Sequence, residues 1–146
     1  MKTKPLFIVM SAPSGCGKST LIDMLLQEYP DIVYSISCTT REPRGEEEDG
    51  LDYHFLSKQR FEELIAENQF IEYAAVHGNY YGTLKGPIAE VLAEGNSMIL
   101  DIDVQGAMQI REAAAKDAEL SAVLQFVFIA PPSYEVLEKR LRGRQT

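Results

Sequence analysis

Ala12-Pro13-Ser14-Gly15-Cys16-Gly17-Lys18-Ser19 is the stretch on which the reading of this chain turns. An apolar run, Leu6-Phe7-Ile8-Val9-Met10, leads into it, and Thr20-Leu21-Ile22-Asp23-Met24-Leu25-Leu26 follows with helical periodicity. A strand, a glycine-rich turn and a helix opening on Lys-Ser make a phosphate-cradling P-loop. Its glycines let backbone N–H groups converge on phosphate oxygens with no Cβ in the way. The helix N-terminus adds unpaired donors and the positive end of its dipole. Lys18 can reach the β- and γ-phosphates, and the Ser19 hydroxyl can sit on Mg²⁺. The first position is Ala12 where the strict pattern has glycine; alanine keeps the site small but gives up positive φ. The stretch reads as the binding loop for a nucleoside triphosphate.

Working outward, 146 residues make one domain, long enough to bury a proper core. The N-terminus Met1-Lys2-Thr3-Lys4-Pro5 runs straight into the first apolar segment, without the h-region and cleavage site of a signal peptide. No apolar run reaches the length of a membrane span. Two cysteines, Cys16 and Cys38, give no disulfide framework, so a reducing, cytoplasmic setting and a packing role for each thiol are expected. A net charge of −8 argues against an extended nucleic-acid or anionic-membrane surface. Basic residues nonetheless cluster, Arg41 with Arg44 and Lys139 with Arg140, Arg142 and Arg144, which suggests small anionic ligands rather than polyanions. His54 and His77 lack metal-ligand spacing and are given no role.

Apolar runs without polar alternation recur at Leu6–Met10, Met98–Leu100 and Leu124–Ala130, as in central strands of a parallel sheet buried on both faces. Helical patterns cover Lys18–Tyr29, Ile88–Ala93 (entered through Pro87) and Ala107–Ala118, and another begins after Ser133. This alternation predicts a doubly wound α/β sheet. Between Ile32 and Thr83 the texture changes. Short β-like pieces, Ile32–Ser37, Tyr53–Phe55 and Phe70–Val76, surround an amphipathic helix at about Lys58–Glu67, with dense turn chemistry that includes Gly78-Asn79. These predict a small mixed or antiparallel subdomain inserted into the α/β core. Glu46-Glu47-Glu48-Asp49-Gly50 reads as a solvated acidic turn.

Ser11 to Thr20 resembles the phosphate loop of guanylate kinases. Ser37-Cys38-Thr39-Thr40-Arg41-Glu42-Pro43-Arg44 with Gly50-Leu51-Asp52-Tyr53 resembles the GMP-binding signature of that family. So do Phe70-Ile71-Glu72, Asn79-Tyr80-Tyr81-Gly82-Thr83, Ile99-Leu100-Asp101-Ile102-Asp103 and Gln105-Gly106, in register from end to end. The resemblance implies an α/β P-loop nucleoside monophosphate kinase: a parallel core at about 1–34 and 84–141, a GMP-binding subdomain at about 35–83 and a partial lid at about 142–146. It also implies transfer of the γ-phosphoryl of MgATP to GMP, giving GDP and ADP. ATP and GMP are then the expected partners, with a second copy of the chain as a further candidate and no nucleic acid or membrane.

The resemblance assigns roles to residues. Ser14, Gly15, Cys16, Gly17, Lys18, Ser19 and Thr20 would hold ATP, with Ser19 and, through water, Asp101 on Mg²⁺. Arg41 and Arg44 would clamp the GMP phosphate with the hydroxyls of Tyr53 and Tyr81, planar guanidinium forks suiting phosphate better than lysine. Glu72 would accept the N1–H and N2–H₂ donors of guanine, with Ser37 and Thr83 completing base recognition. Asp101 and Asp103 end an apolar strand, where open parallel sheets place ligand contacts; Asp103 is assigned to GMP, with capping of the turn or helix at Gln105 as the other reading. Lys18, Arg44, Arg140 and Arg144 would be catalytic, the last two as lid arginines over the transferring group. The resemblance further implies a chain that stops at Thr146 inside the lid, short of a last core strand, an adenine-contacting loop and a terminal helix, with ATP-side closure incomplete. The competing function is a non-catalytic module of the same fold that binds phosphorylated peptides through the basic clamp. The intact Lys18-Ser19 pair and the base-recognition set stand against it.

Overall fold

The computed structural model describes residues 4–12 and 17–130, together with residues 133, 135, 138, 139 and 142. Two four-stranded sheets organise the described chain. The first is wholly parallel and runs β2 (Val33–Tyr34), β7 (Met98–Asp101), β1 (Phe7–Ser11), β8 (Leu124–Phe128). Helix α1 (Lys18–Glu28) connects β1 to β2, and α4 (Val104–Ala115) with α5 (Ala118–Val123) connects β7 to β8. The connections leaving β1 and β7 run in opposite directions across the sheet, so their carboxyl ends bound the crevice where such sheets place ligands.

The unbroken apolar runs of β1 and β7 follow from burial on both faces. Phe7, Val9, Met98 and Leu100 enter one core with Ile88, Ile110 and Ile71. Met10 and Ile99 enter the other with Ile22, and Ile8 packs against it. Side chains alternate between faces along a strand, so both sets must be apolar. Each fully buried large side chain here contributes about 1.5–3 kcal/mol.

The second sheet runs β4 (His54–Phe55), β3 (Cys38–Thr39), β6 (Asn79–Leu84), β5 (Phe70–Val76). The β3–β4 pair is parallel and the pairs with β6 are antiparallel, a mixed sheet as the sequence predicts. Helix α2 (Lys58–Ala66), N-capped by Ser57, covers it with Phe61 and Leu64. Phe61 stacks on Phe70 at 4.3 Å and on Tyr80 at 4.8 Å between ring centroids. Helix α3 (Lys85–Ala93) leads back to the first sheet.

Several elements differ from the sequence expectations. The single piece Ile32–Ser37 divides: Val33–Tyr34 joins the first sheet, and the next strand, Cys38–Thr39, begins the second. The hairpin turn falls on His77-Gly78, not Gly78-Asn79. Both turn residues have positive φ, 50° and 82°, the signature of a type I′ turn, so Asn79 is free to start β6. The pattern at Ala107–Ala118 becomes two helices, because Asp117 caps α5 by accepting from Glu119 N and Leu120 N. Strand β8 pairs with β1, and Phe126, Val127 and Phe128 are exposed on it among the described residues. Cys38 is the buried packing residue expected, its thiol pushed up to about 11 by burial and by Asp49. No helix among the described residues is long and apolar enough to cross a membrane.

Gly106 of α4 packs closely on Ile102, in the link from β7, and on Glu72 of β5. A Cβ there would lie 2.5 Å from Ile102 Cγ1, closer still to Cδ1, and 3.3 Å from Glu72 Oε2. Alanine gains about 0.8–1 kcal/mol in helix propensity, but forced repacking of Ile102, which packs on the first core, costs about 1–3 kcal/mol. Gly106→Ala is therefore expected to lower the thermal midpoint, read by calorimetric melting.

Candidate nucleotide site

At the crevice end of the first sheet, Gly17 adopts φ 77° and ψ 22° at the N-cap of α1. That left-handed conformation is open to glycine and strained for other residues. Gly17 supplies no capping side chain, so it leaves the first-turn N–H groups of α1 without a side-chain N-cap. Lys18 opens the helix, and its Nζ lies 2.6 Å from Asp101 Oδ1 at the end of β7, both side chains 21% exposed. Ser19 and Thr20 are exposed on the same first turn. Tyr34, at the end of β2, has its hydroxyl pushed up to about 12 by burial first and then by the field of Asp101, with Tyr53 adding to it.

The second sheet aligns another set. Cys38 pairs with His54 in parallel and with Gly82 antiparallel, while Thr83 pairs with Glu72. Extending that register by one residue sets Tyr53, Ser37, Thr83 and Glu72 in a single row across four strands, about 14 Å from end to end. A β-bulge between Phe70 and Glu72 brings Glu72 directly opposite Thr83. Thr83 Oγ1 donates to Glu72 Oε1 at 2.7 Å, and both side chains are buried. Burial raises the Glu72 carboxyl above its ordinary range, the Thr83 hydrogen bond works against that, and the charge of Asp103 adds to it.

At the other end of the row, the Arg41 guanidinium lies 5.2 Å from the Tyr53 ring centroid, and the Tyr53 and Tyr81 rings meet edge to face at 6.2 Å. Thr39 anchors this corner: its Oγ1 donates to Tyr80 O at 2.9 Å and accepts from Arg41 N at 3.2 Å. Arg41 is buried, and its guanidinium is held firmly protonated, chiefly by the Glu47 carboxylate. The Arg44 side chain is exposed and unpaired among the described residues.

The structure thus brings Lys18 to Asp101, Glu72 to Thr83, and Arg41 to Tyr53 and Tyr81. Ser37 joins them by register, its carbonyl accepting from His54 N at 2.9 Å. Asp103 is exposed and caps α4, its Oδ1 accepting from Gly106 N at 2.8 Å, as the capping reading of this residue expects. Ser14, Gly15, Cys16, Arg140 and Arg144 lie outside the described residues, as does most of the expected lid.

Glu46, Glu48 and Asp49 are exposed, as a solvated acidic turn expects, but Glu47 is half-buried and departs from that expectation. Glu47 accepts from Arg41 Nη1 at 2.9 Å, from Arg41 Nη2 at 3.1 Å and from Arg44 N at 2.8 Å. These bonds hold its carboxyl below the ordinary range, the Arg41 hydrogen bond most of all. Asp52 accepts from Glu48 N, and Asp49 from Phe55 N, each at 2.8 Å. The one available signal was that a buried arginine needs a counter-charge. Sequence did not say which of three consecutive glutamates supplies it.

The guanylate kinase family model matches residues 3–146. A guanylate kinase from Anaeromyxobacter dehalogenans is 50% identical over 141 residues, covering 97% of this chain and 60% of that protein. One from Schizosaccharomyces pombe is 49% identical over 147 residues, covering 100% of this chain and 68% of that protein. The crystal structure of guanylate kinase from Anaplasma phagocytophilum superposes with a TM-score of 0.72 at 36% identity, over 97% of this chain and 69% of that one. The chain spans about three-fifths of the length of the first of these relatives. With a parallel core, a mixed second sheet and a family match over nearly every residue, the chain belongs to the guanylate kinase family.

Proposed function

We propose that this chain carries the nucleotide sites of a cytoplasmic ATP:GMP phosphotransferase, with GMP on the second sheet and the ATP phosphates at the start of α1. The observation that carries the reading is the buried Glu72 carboxylate in one row with an arginine–tyrosine corner. A nucleoside monophosphate, base at one end and phosphate at the other, bridges that row. Glu72 accepts from guanine N1–H and N2–H₂ beside Ser37 and Thr83; adenine lacks this donor pair. Arg41, Arg44, Tyr53 and Tyr81 hold the phosphate. Asp103 borders GMP from the N-cap of α4.

On the other side, residues 14–20 cradle the triphosphate, and Lys18 turns from Asp101 toward the β- and γ-phosphates. Among the described residues no cluster of three or more His, Cys, Asp or Glu could hold a metal by itself. The available donors, the Ser19 hydroxyl and the Asp101 carboxylate, are hard oxygens. They suit Mg²⁺, which keeps several waters and is completed by substrate phosphates. When bound, that ion neutralises charge on the β- and γ-oxygens. A GMP phosphate oxygen attacks the γ-phosphorus, the bond to the β–γ bridging oxygen breaks, and GDP and ADP result. The chain's part is to align the two anions and offset their repulsion; Arg44, Arg140 and Arg144 are assigned to the transferring group.

The test is ADP release from ATP with GMP or AMP as acceptor, in this chain and in one extended to the full length of its relatives. GMP-dependent turnover is expected in the extended chain. Equal turnover with AMP refutes the guanine assignment, and tight phosphopeptide binding without GMP affinity favours the peptide-binding module instead.

A further inference from the structure

We propose that Glu47 is a positioning residue for the phosphate clamp, fixing the Arg41 side chain and the Arg44 backbone before any anion arrives. This role rests on the GMP reading above and deepens it. A guanidinium presents five N–H donors in one plane. Arg41 commits both Nη1 protons, one to Glu42 O at 2.9 Å and one to Glu47 Oε1 at 2.9 Å, and one Nη2 proton to Glu47 Oε2 at 3.1 Å. The Nε proton and the second Nη2 proton are not taken by Glu42 or Glu47, and the Tyr81 and Tyr53 side chains add hydrogen bonds to the same guanidinium. Those two protons form the other edge of the fork, itself able to grip two oxygens of a phosphate.

Glu47 therefore occupies one edge of the fork and makes no bond to the other. The same Oε1 accepts from Arg44 N at 2.8 Å, and Glu47 N donates back to Arg44 O at 3.0 Å, closing the turn between the two arginines. One carboxylate thus sets the spacing of both clamp residues. It also gives the buried Arg41 a counter-charge when no nucleotide is present, without which the guanidinium has reason to swing out toward water.

The opposite role is that Glu47 imitates the phosphate and has to be displaced by it. The two roles differ in sign. Calorimetric binding of GMP and of guanosine, which lacks the phosphate, to wild type, Glu47→Ala and Glu47→Gln separates them, with thermal midpoints reporting folding. Positioning predicts that Glu47→Ala weakens GMP by about 10–100-fold, the loss expected for a charge-assisted contact. Glu47→Gln falls between, since its amide oxygen can still serve Arg44 N, and guanosine affinity stays within about twofold of wild type, as no phosphate contact is involved. If Glu47→Ala does not fold, Glu47→Gln carries the comparison. Tighter GMP binding by either variant shows displacement and overturns the proposal, as does an equal loss for guanosine. Wild type that binds GMP with Glu47→Ala unchanged overturns the Glu47 role alone. Wild type that binds neither ligand removes the GMP reading and this role with it.

Discussion

Glu72→Gln is expected to reduce GMP affinity and kcat/KM for GMP by on the order of 10²–10⁴-fold and to collapse the preference for GMP over AMP. In the proposed GMP site two guanine donors meet the carboxylate, and each charge-assisted bond contributes about 1.5–3 kcal/mol. An amide nitrogen facing guanine opposes donor to donor. The amide can also turn its oxygen outward, because the Thr83 hydroxyl, now a donor to Glu72 Oε1 at 2.7 Å, can accept instead. That rearrangement recovers one bond and sets the lower figure. Parallel GMP and AMP kinetics are the measurement, and an unchanged ratio between them overturns the base assignment.

The same variant carries a stability signature of the opposite sign. Burial, the largest cause, raises the Glu72 pKa in the folded protein. Between the ordinary glutamate value and that raised value the folded chain holds more protons than the unfolded one. Stability then falls as pH rises through the window, and the deficit persists above it. Glutamine carries no charge to desolvate, so Glu72→Gln is expected to melt higher than wild type at neutral pH while binding GMP far more weakly. Wild-type GMP affinity should fall on acidification through the raised pKa, as the protonated carboxyl ceases to accept both donors, and the variant should lack that acid limb.

This tension between fold and site also explains what could be read from residues alone. The phosphate loop is legible because glycine, lysine and serine at fixed spacing have a chemical reason to stand there. The strands at Phe7–Ser11 and Met98–Asp101 are legible because burial on both faces leaves no polar alternation. Strand Asn79–Leu84 is polar and holds a glycine, so its strand character comes from pairing with β3 and β5, a tertiary fact. Two-residue strands such as Val33–Tyr34 and Cys38–Thr39 are too short to show a period, and the switch between sheets inside Ile32–Thr39 left no local mark. Glu72 was picked out by family resemblance, whereas its burial and its Thr83 partner depend on a bulge that no spacing encodes. Glu47 was indistinguishable from Glu46 and Glu48 until the loop path was known; only Glu47 reaches Arg41.

Lys18→Ala is expected to lower turnover by on the order of 10³-fold, the upper range for removing one preorganised charge-stabilising donor, while leaving GMP affinity within about twofold. Lys18 Nζ and Asp101 Oδ1 are 2.6 Å apart with side chains 21% exposed, so the pair is partly open to solvent. A pair at that exposure contributes no more than about 1 kcal/mol. The thermal midpoint should therefore move little, although Asp101 loses its cation. Under the proposed phosphoryl transfer, turnover responds differently because the ammonium is needed where negative charge gathers on the transferring group, and no other described cation is paired with Asp101. Lys18→Arg retains the charge but replaces a compact ammonium by a planar fork, and partial activity is expected from it. Steady-state turnover, GMP calorimetry and melting on the same preparations separate the outcomes. A small turnover loss, or a parallel loss of GMP affinity, would mean that the crevice between β1 and β7 and the row ending at Glu72 do not act as two separate anion pockets.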